Sequence, residues 1–203
     1  MAGQGIDPLQ IVYLVLLGFT LSTVAGLRAF LPLLALGLFV RTGAVQLAPG
    51  SGWEWVASDT ALIVLTLAVV FELLVDKVPA LDHLQDAWLT AVKPVAGFIL
   101  TAVPVSRIDP ILAVVLGLVA GATAATAVHL TKGSTRLAST ALTFGLANPA
   151  LSFLEDLVAL IATLLAWLVP VVIGVVAIYF ALLAVRALIA RWRGEGGKPA
   201  VPL

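Results

Sequence analysis

The sequence predicts an all-α, polytopic integral membrane bundle of about six crossings, with broken or re-entrant helices and one amphipathic helix. Three observations carry this. The chain is 62% hydrophobic and only 11% charged, with a mean hydropathy of +1.15, which no ordinary soluble domain approaches. Apolar stretches long enough to cross a bilayer recur along its 203 residues, leaving room for roughly five to seven spans of about 20 residues. Lys and Arg, finally, gather in alternate intervals between those stretches. One membrane domain, residues 1–193, with a flexible cytoplasmic tail, 194–203, is the economical division.

The elements follow in order. Pro8 to Leu27 is apolar, Arg28 interrupts, and Ala29 to Val40 continues with Pro32 inside it, so one long, kinked or broken element is expected. Arg41 to Ser58 reads as an external loop, turned at Pro49-Gly50-Ser51-Gly52 and anchored at the interface by Trp53 and Trp55. Ala57 to Val75 is a second span carrying Glu72. In the charged stretch Asp76 to Lys93, Pro79 suits a first helical turn, and Leu81, Leu84, Trp88 and Ala91 recur at helical spacing. That makes an amphipathic helix with Asp82, Asp86 and Lys93 on its polar face, flanked by His83 and Gln85.

Pro94 to Val105 is short for a crossing and is expected to be a third, irregular one. Pro110 to Leu130, rich in Gly, Ala and Thr, is a fourth; its Gly117, Gly121, Ala124 and Ala125 permit close helix packing, and Lys132 to Arg136 ends it. After the Asn148-Pro149 break, Ala150 to Ala190 is too long for one crossing, and Val169-Pro170 divides a fifth span from a sixth. Arg28 and Arg136 precede Gly37 and Gly145 by the same interval, and Ala25 to Ala29 resembles Ala120 to Ala124, so an internal repeat is a candidate feature.

Charge by position sets the expected orientation. Lys77, Lys93, Lys132, Arg136, Arg186, Arg191, Arg193 and Lys198 fall on one side of a six-crossing scheme, and Arg41 and Arg107 on the other. Both termini are therefore expected in the cytoplasm, with the protein in the inner (cytoplasmic) membrane. The N-terminus has no basic residue before its apolar stretch, unlike a cleavable signal.

Chemistry is sought among ionisable residues at membrane depth, because a charge near the bilayer centre costs at least roughly 2.5–3.5 kcal/mol unless paired or wetted. These are Arg28, Glu72, Asp76, Lys77, Asp82, Asp86, Lys132, Arg136, Glu155 and Asp156. Arg28 needs an acidic partner, with Glu72, Asp76, Glu155 and Asp156 the candidates. Glu155 and Asp156 suit a helix start after the Asn148-Pro149 break, whereas Glu72, Asp82 and Asp86 are expected to switch between charged and neutral forms. Asp82, His83 and Asp86 form a candidate hard-cation or proton site, and His129 sits near Lys132 at a span end. With no Cys, thiolate chemistry is excluded. No nucleotide loop, paired-His metalloprotease motif or serine elbow occurs, so neither an enzyme nor a cofactor is expected.

Gly26-Leu27-Arg28-Ala29-Phe30-Leu31-Pro32, Phe71-Glu72-Leu73-Leu74-Val75-Asp76-Lys77-Val78-Pro79 with Asp82 and Asp86, and His129 to Arg136 form a pattern with Asn148-Pro149 and Glu155-Asp156. It resembles a family of small bacterial multi-pass membrane proteins catalogued as domain of unknown function 4126. The resemblance implies the membrane class and no activity.

The leading expectation is a small transporter or channel-like permease, with these charges lining a polar cavity and the carboxylates coupling transport to protons or cations. The alternatives are a lipid-handling protein, in which Arg28, Lys132 and Arg136 hold a phosphate head group, and a non-catalytic scaffold of structural ion pairs. A two-sided, water-filled cavity favours transport; a groove open sideways to lipid favours lipid handling; a dry, paired cluster favours the scaffold. Expected partners are membrane lipid and a small ion or solute, with a homo-oligomer left open. A net charge of zero argues against nucleic acid.

Overall fold

Asp7 starts the first helix, α1 (Pro8–Ala25), by accepting a hydrogen bond from the Leu9 amide at 2.9 Å, with Pro8 in the first turn where its missing N–H costs nothing. The helix ends when the amides of Gly26 and Leu27 fold back onto the carbonyls of Thr23 and Val24. α2 (Phe30–Arg41) begins after this break. The computed structural model describes residues 6–77, 79–168 and 185–186; the side chains of 79–86 lie outside that description.

The chain reverses at the break, which corrects the expectation of one element crossing once. Tyr13, near the start of α1, and Phe39, near the end of α2, each place their rings 5.6 Å from the same indole, that of Trp167. α1 and α2 thus form a hairpin with Arg28 at its tip. α3 (Asp59–Val75) returns antiparallel to α2: Arg41 pairs with Asp59 at 2.5 Å at one end, while Glu72 reaches the start of α2 at the other. The loop between them includes a short 3₁₀ turn, Glu54–Ala57, and Ser58 caps α3 through the Ala61 amide. Trp53 packs against Phe98, and Trp55 is exposed.

α4 (Pro79–Val105) is one continuous helix in which the expected amphipathic segment and the expected irregular crossing merge, with Pro94 and Pro104 accommodated inside it. Its half from Ala87 to Val105 is long and apolar enough to span. α5 (Pro110–Leu116), a π-helical segment (Gly117–Ala122) and α6 (Thr123–Thr143) follow without interruption. The expected end at Lys132 to Arg136 is therefore wrong: the helix runs on to Thr143, because Lys132 and Arg136 turn inward to carboxylates rather than outward to water. Lys93, also counted as a loop residue, is fully buried. A tight turn, with Phe144 at φ 54° and Gly145 at φ 84°, leads into α7 (Asn148–Leu165). The segment after Pro170, the proposed tail, Arg191, Arg193 and Lys198 lie outside the described residues.

The result is an all-α polytopic bundle with no strand among the described residues. α1 is its centre, packed along α4, with Leu17 and Leu21 in one buried core with Leu100 and Val103. Where α4 crosses the π-helical segment, a Cβ on Gly121 would lie 2.3 Å from the Gly97 carbonyl oxygen, so only glycine permits this approach. Beside that seam the Ser22 hydroxyl donates to the Gly97 carbonyl at 2.7 Å and lies 2.8 Å from Thr101 Oγ1. Gly37 packs its helix on the Val56 carbonyl whereas Gly145 occupies a turn at positive φ, so the two glycines that a repeat would equate do different work. Outward faces are apolar: Val119, Leu130, Leu142 and Leu164 are exposed, as a lipid-facing surface requires.

Candidate functional site

The break after α1 leaves the amides of Ala29 and Phe30 at a helix start with no capping side chain of their own. Glu72 supplies the cap from α3: its Oε1 accepts from Ala29 at 2.9 Å and its Oε2 from Phe30 at 3.2 Å. A buried carboxylate at the positive end of α2 is also favoured by the helix dipole. Glu72, expected to switch, is held in place by backbone.

One turn further, Asp76 faces three cations, Arg28 from the break between α1 and α2 and Lys132 and Arg136 from α6. Arg28 Nη2 donates to its Oδ2 at 2.5 Å, Arg136 Nη2 to both oxygens at 3.0 and 2.9 Å, and Lys132 Nζ stands 3.7 Å from Oδ1. Ser152 completes the set: it donates to Asp76 and accepts from Lys77 at 2.8 Å and from Arg28 at 3.4 Å. Asp156 pairs with both Arg28 and Lys77, and Glu155 with Arg136 at 2.9 Å and Lys132 at 3.1 Å. Arg28 is 1% exposed, and its Nε and Nη1 have no hydrogen-bond partner among the described residues.

Eight of the ten residues singled out from the sequence thus meet at one place: Arg28, Glu72, Asp76, Lys77, Lys132, Arg136, Glu155 and Asp156. For Asp82 and Asp86, and for His83 of the candidate cation site, the side chains lie outside the described residues. Glu155 and Asp156 do not sit in the first turn of α7, as expected, but two turns inside it, where they face the cluster. Burial is graded. Arg28 and Asp76 are dry, whereas the Lys77 and Asp156 side chains are 38% and 18% exposed, so one edge is wet.

Sequence reasoning missed Ser152, whose signal was its position one helical turn before Asp156. It also missed the pairing of Lys93 with His129, whose Nδ1 lies 2.9 Å from Lys93 Nζ and whose Nε2 lies 3.0 Å from Thr90 Oγ1. His129 is therefore a buried partner of Lys93, not an interfacial residue.

Between α6 and α7 lies an open cleft of about 320 Å³. Leu27, Val128, Leu151, Leu154 and Val158 form apolar walls, and Lys132 and Glu155 supply its charged wall. The α6–α7 turn carries the exposed Leu142, Phe144 and Leu146, and no charged residue occurs from 137 to 154, so the surface beside the cleft is apolar.

Helix lengths, lipid-facing apolar surfaces and an interior stocked with paired charges define a multi-pass membrane protein. A family profile described as a domain of unknown function (DUF4126) matches residues 15–190, and the chain belongs to that family. No curated protein and no solved structure matches the chain.

Proposed function

We infer that this protein handles an acidic amphiphile taken laterally from the bilayer. The observation that carries the reading is the cleft between α6 and α7, apolar along its walls and bounded by Lys132 at the edge of the buried cluster. Native mass spectrometry of the purified protein tests it. The parent retains an acidic amphiphile, and Leu154→Trp, which narrows the cleft, loses it; equal retention by both defeats the reading.

Proton- or cation-coupled transport is the second reading, favoured by the graded exposure from Lys77 and Asp156 to Arg28 and by the break in the backbone between α1 and α2 beside charges. Its test is gradient-driven flux in liposomes, lost in Asp156→Asn with folding retained. Neither reading involves an enzymatic step. For both, the inner membrane is the proposed location.

The hairpin alters the proposed orientation. The start of α1, Arg41 and Arg107 share the end of the bundle away from Lys77, so the positive-inside rule puts Lys77 in the cytoplasm and residue 8 outside. The expectation of a cytoplasmic N-terminus required α1 and α2 to cross together. Reporters fused at residue 6 and inserted within 48–52 will read the same side; opposite sides restore the single-crossing scheme.

A further inference from the structure

We propose that the cleft between α6 and α7 binds one long-chain carboxylate, a fatty acid anion, with Lys132 as its counter-ion. This rests on the lipid-handling reading and names the ligand class. Three features point to it.

The first is the lining of the cleft. Leu27, Val128, Leu151, Leu154 and Val158 make apolar walls, and Lys132 is the one cation among the described residues that line it, with Glu155 beside it. The second is that the Lys132 ammonium, with three N–H groups, makes no hydrogen bond to any described residue, although its side chain is 1% exposed and lines the cleft. Although the ammonium is ion-paired with Glu155 and Asp76, leaving its hydrogen bonds unmade is costly, and a carboxylate oxygen beside it relieves that deficit. The third is size. At about 320 Å³ the space lies at the lower end of small-molecule sites, suiting one chain with a compact head rather than a two-chain phospholipid. Glu155, 3.1 Å from Lys132, sets the charge of the head: it repels a second negative charge, disfavouring a phosphate monoester.

The test uses the full chain in detergent with palmitate as probe, hexadecanol as its uncharged counterpart and phosphatidylglycerol as the bilayer lipid. Palmitate binds at least about tenfold more tightly than hexadecanol, and Lys132→Gln removes that preference while Lys132→Arg keeps it. Because Lys132→Gln disturbs the cluster, Val158→Trp is the second variant: it fills the cleft from an exposed position and weakens palmitate at least about tenfold with the melting temperature unchanged. Palmitate binding unaffected by Val158→Trp, or hexadecanol bound equally, overturns the proposal. Retention of phosphatidylglycerol without palmitate sinks the carboxylate and leaves the lipid-handling reading standing; retention of neither sinks both. Cysteine cross-linking that seats residues 169–190 of the chain itself in the cleft also overturns it.

Discussion

Two regions bring helices to close quarters by opposite means. Along the seam between α4 and the π-helical segment, Gly97 and Gly121 let backbone touch backbone, and Ser22 and Thr101 add neutral hydrogen bonds. Around Asp76, at the end of α3, residues from the break between α1 and α2, from α6 and from α7 converge because each charge is intolerable without the others. Lipid offers no hydrophobic drive for helices to associate, so both regions substitute for it. The seam does so through shape, in small increments. The cluster does so through mutual desolvation, where losing one member strands the rest.

The contrast is open to attack at four strengths. Asp76→Ala has the largest expected effect, about 3–5 kcal/mol, since three cations lose their shared carboxylate. Thermal unfolding in detergent checks it, and a loss no greater than that of an exposed pair would erase the distinction between the regions. Gly121→Val should cost about 1–3 kcal/mol in the same assay, because its Cβ would overlap the Gly97 carbonyl. Combined with Asp76→Asn its effect should add; coupling between them would mean the regions act as one.

Glu72→Gln keeps an acceptor for one amide of the α2 start and should cost about 1 kcal/mol. A loss as large as that of Asp76→Ala would place Glu72 within the cluster's all-or-none set. Smallest is Arg41→Ala: its partner Asp59 is exposed, and the expected loss is about 0.5 kcal/mol or less, fading further in high salt.

The helices themselves were largely legible. Apolar length located α1, α3 and α7, and Pro79 marked the start of α4. The direction of the chain after Arg28 was not, because an interrupted apolar run announces a break without saying whether the next segment continues or returns. Lys93, Lys132 and Arg136 were misread for a related reason: a cation looks like a span boundary until its partner from another helix is known. The cluster's membership was readable from the cost of charge at depth, but its pairing was not. That Glu72 would serve backbone while Asp76, one turn away, would serve guanidinium groups depends on the start of α2 falling beside α3, which no local pattern encodes.

The Arg28 tip bears on the order in which the protein is made. Asp76 follows Arg28 by 48 residues and Asp156 comes later still, so the nascent hairpin emerges before either counter-ion exists. At about 5–20 residues per second the ribosome needs several seconds to supply the first of them. During that interval no carboxylate of the cluster exists to neutralise the guanidinium, and the hairpin tip cannot yet take up its dry position. It is better held in the wet environment of the insertion machinery until α3 arrives, which makes the first three helices one unit of membrane integration although they are separate units of secondary structure.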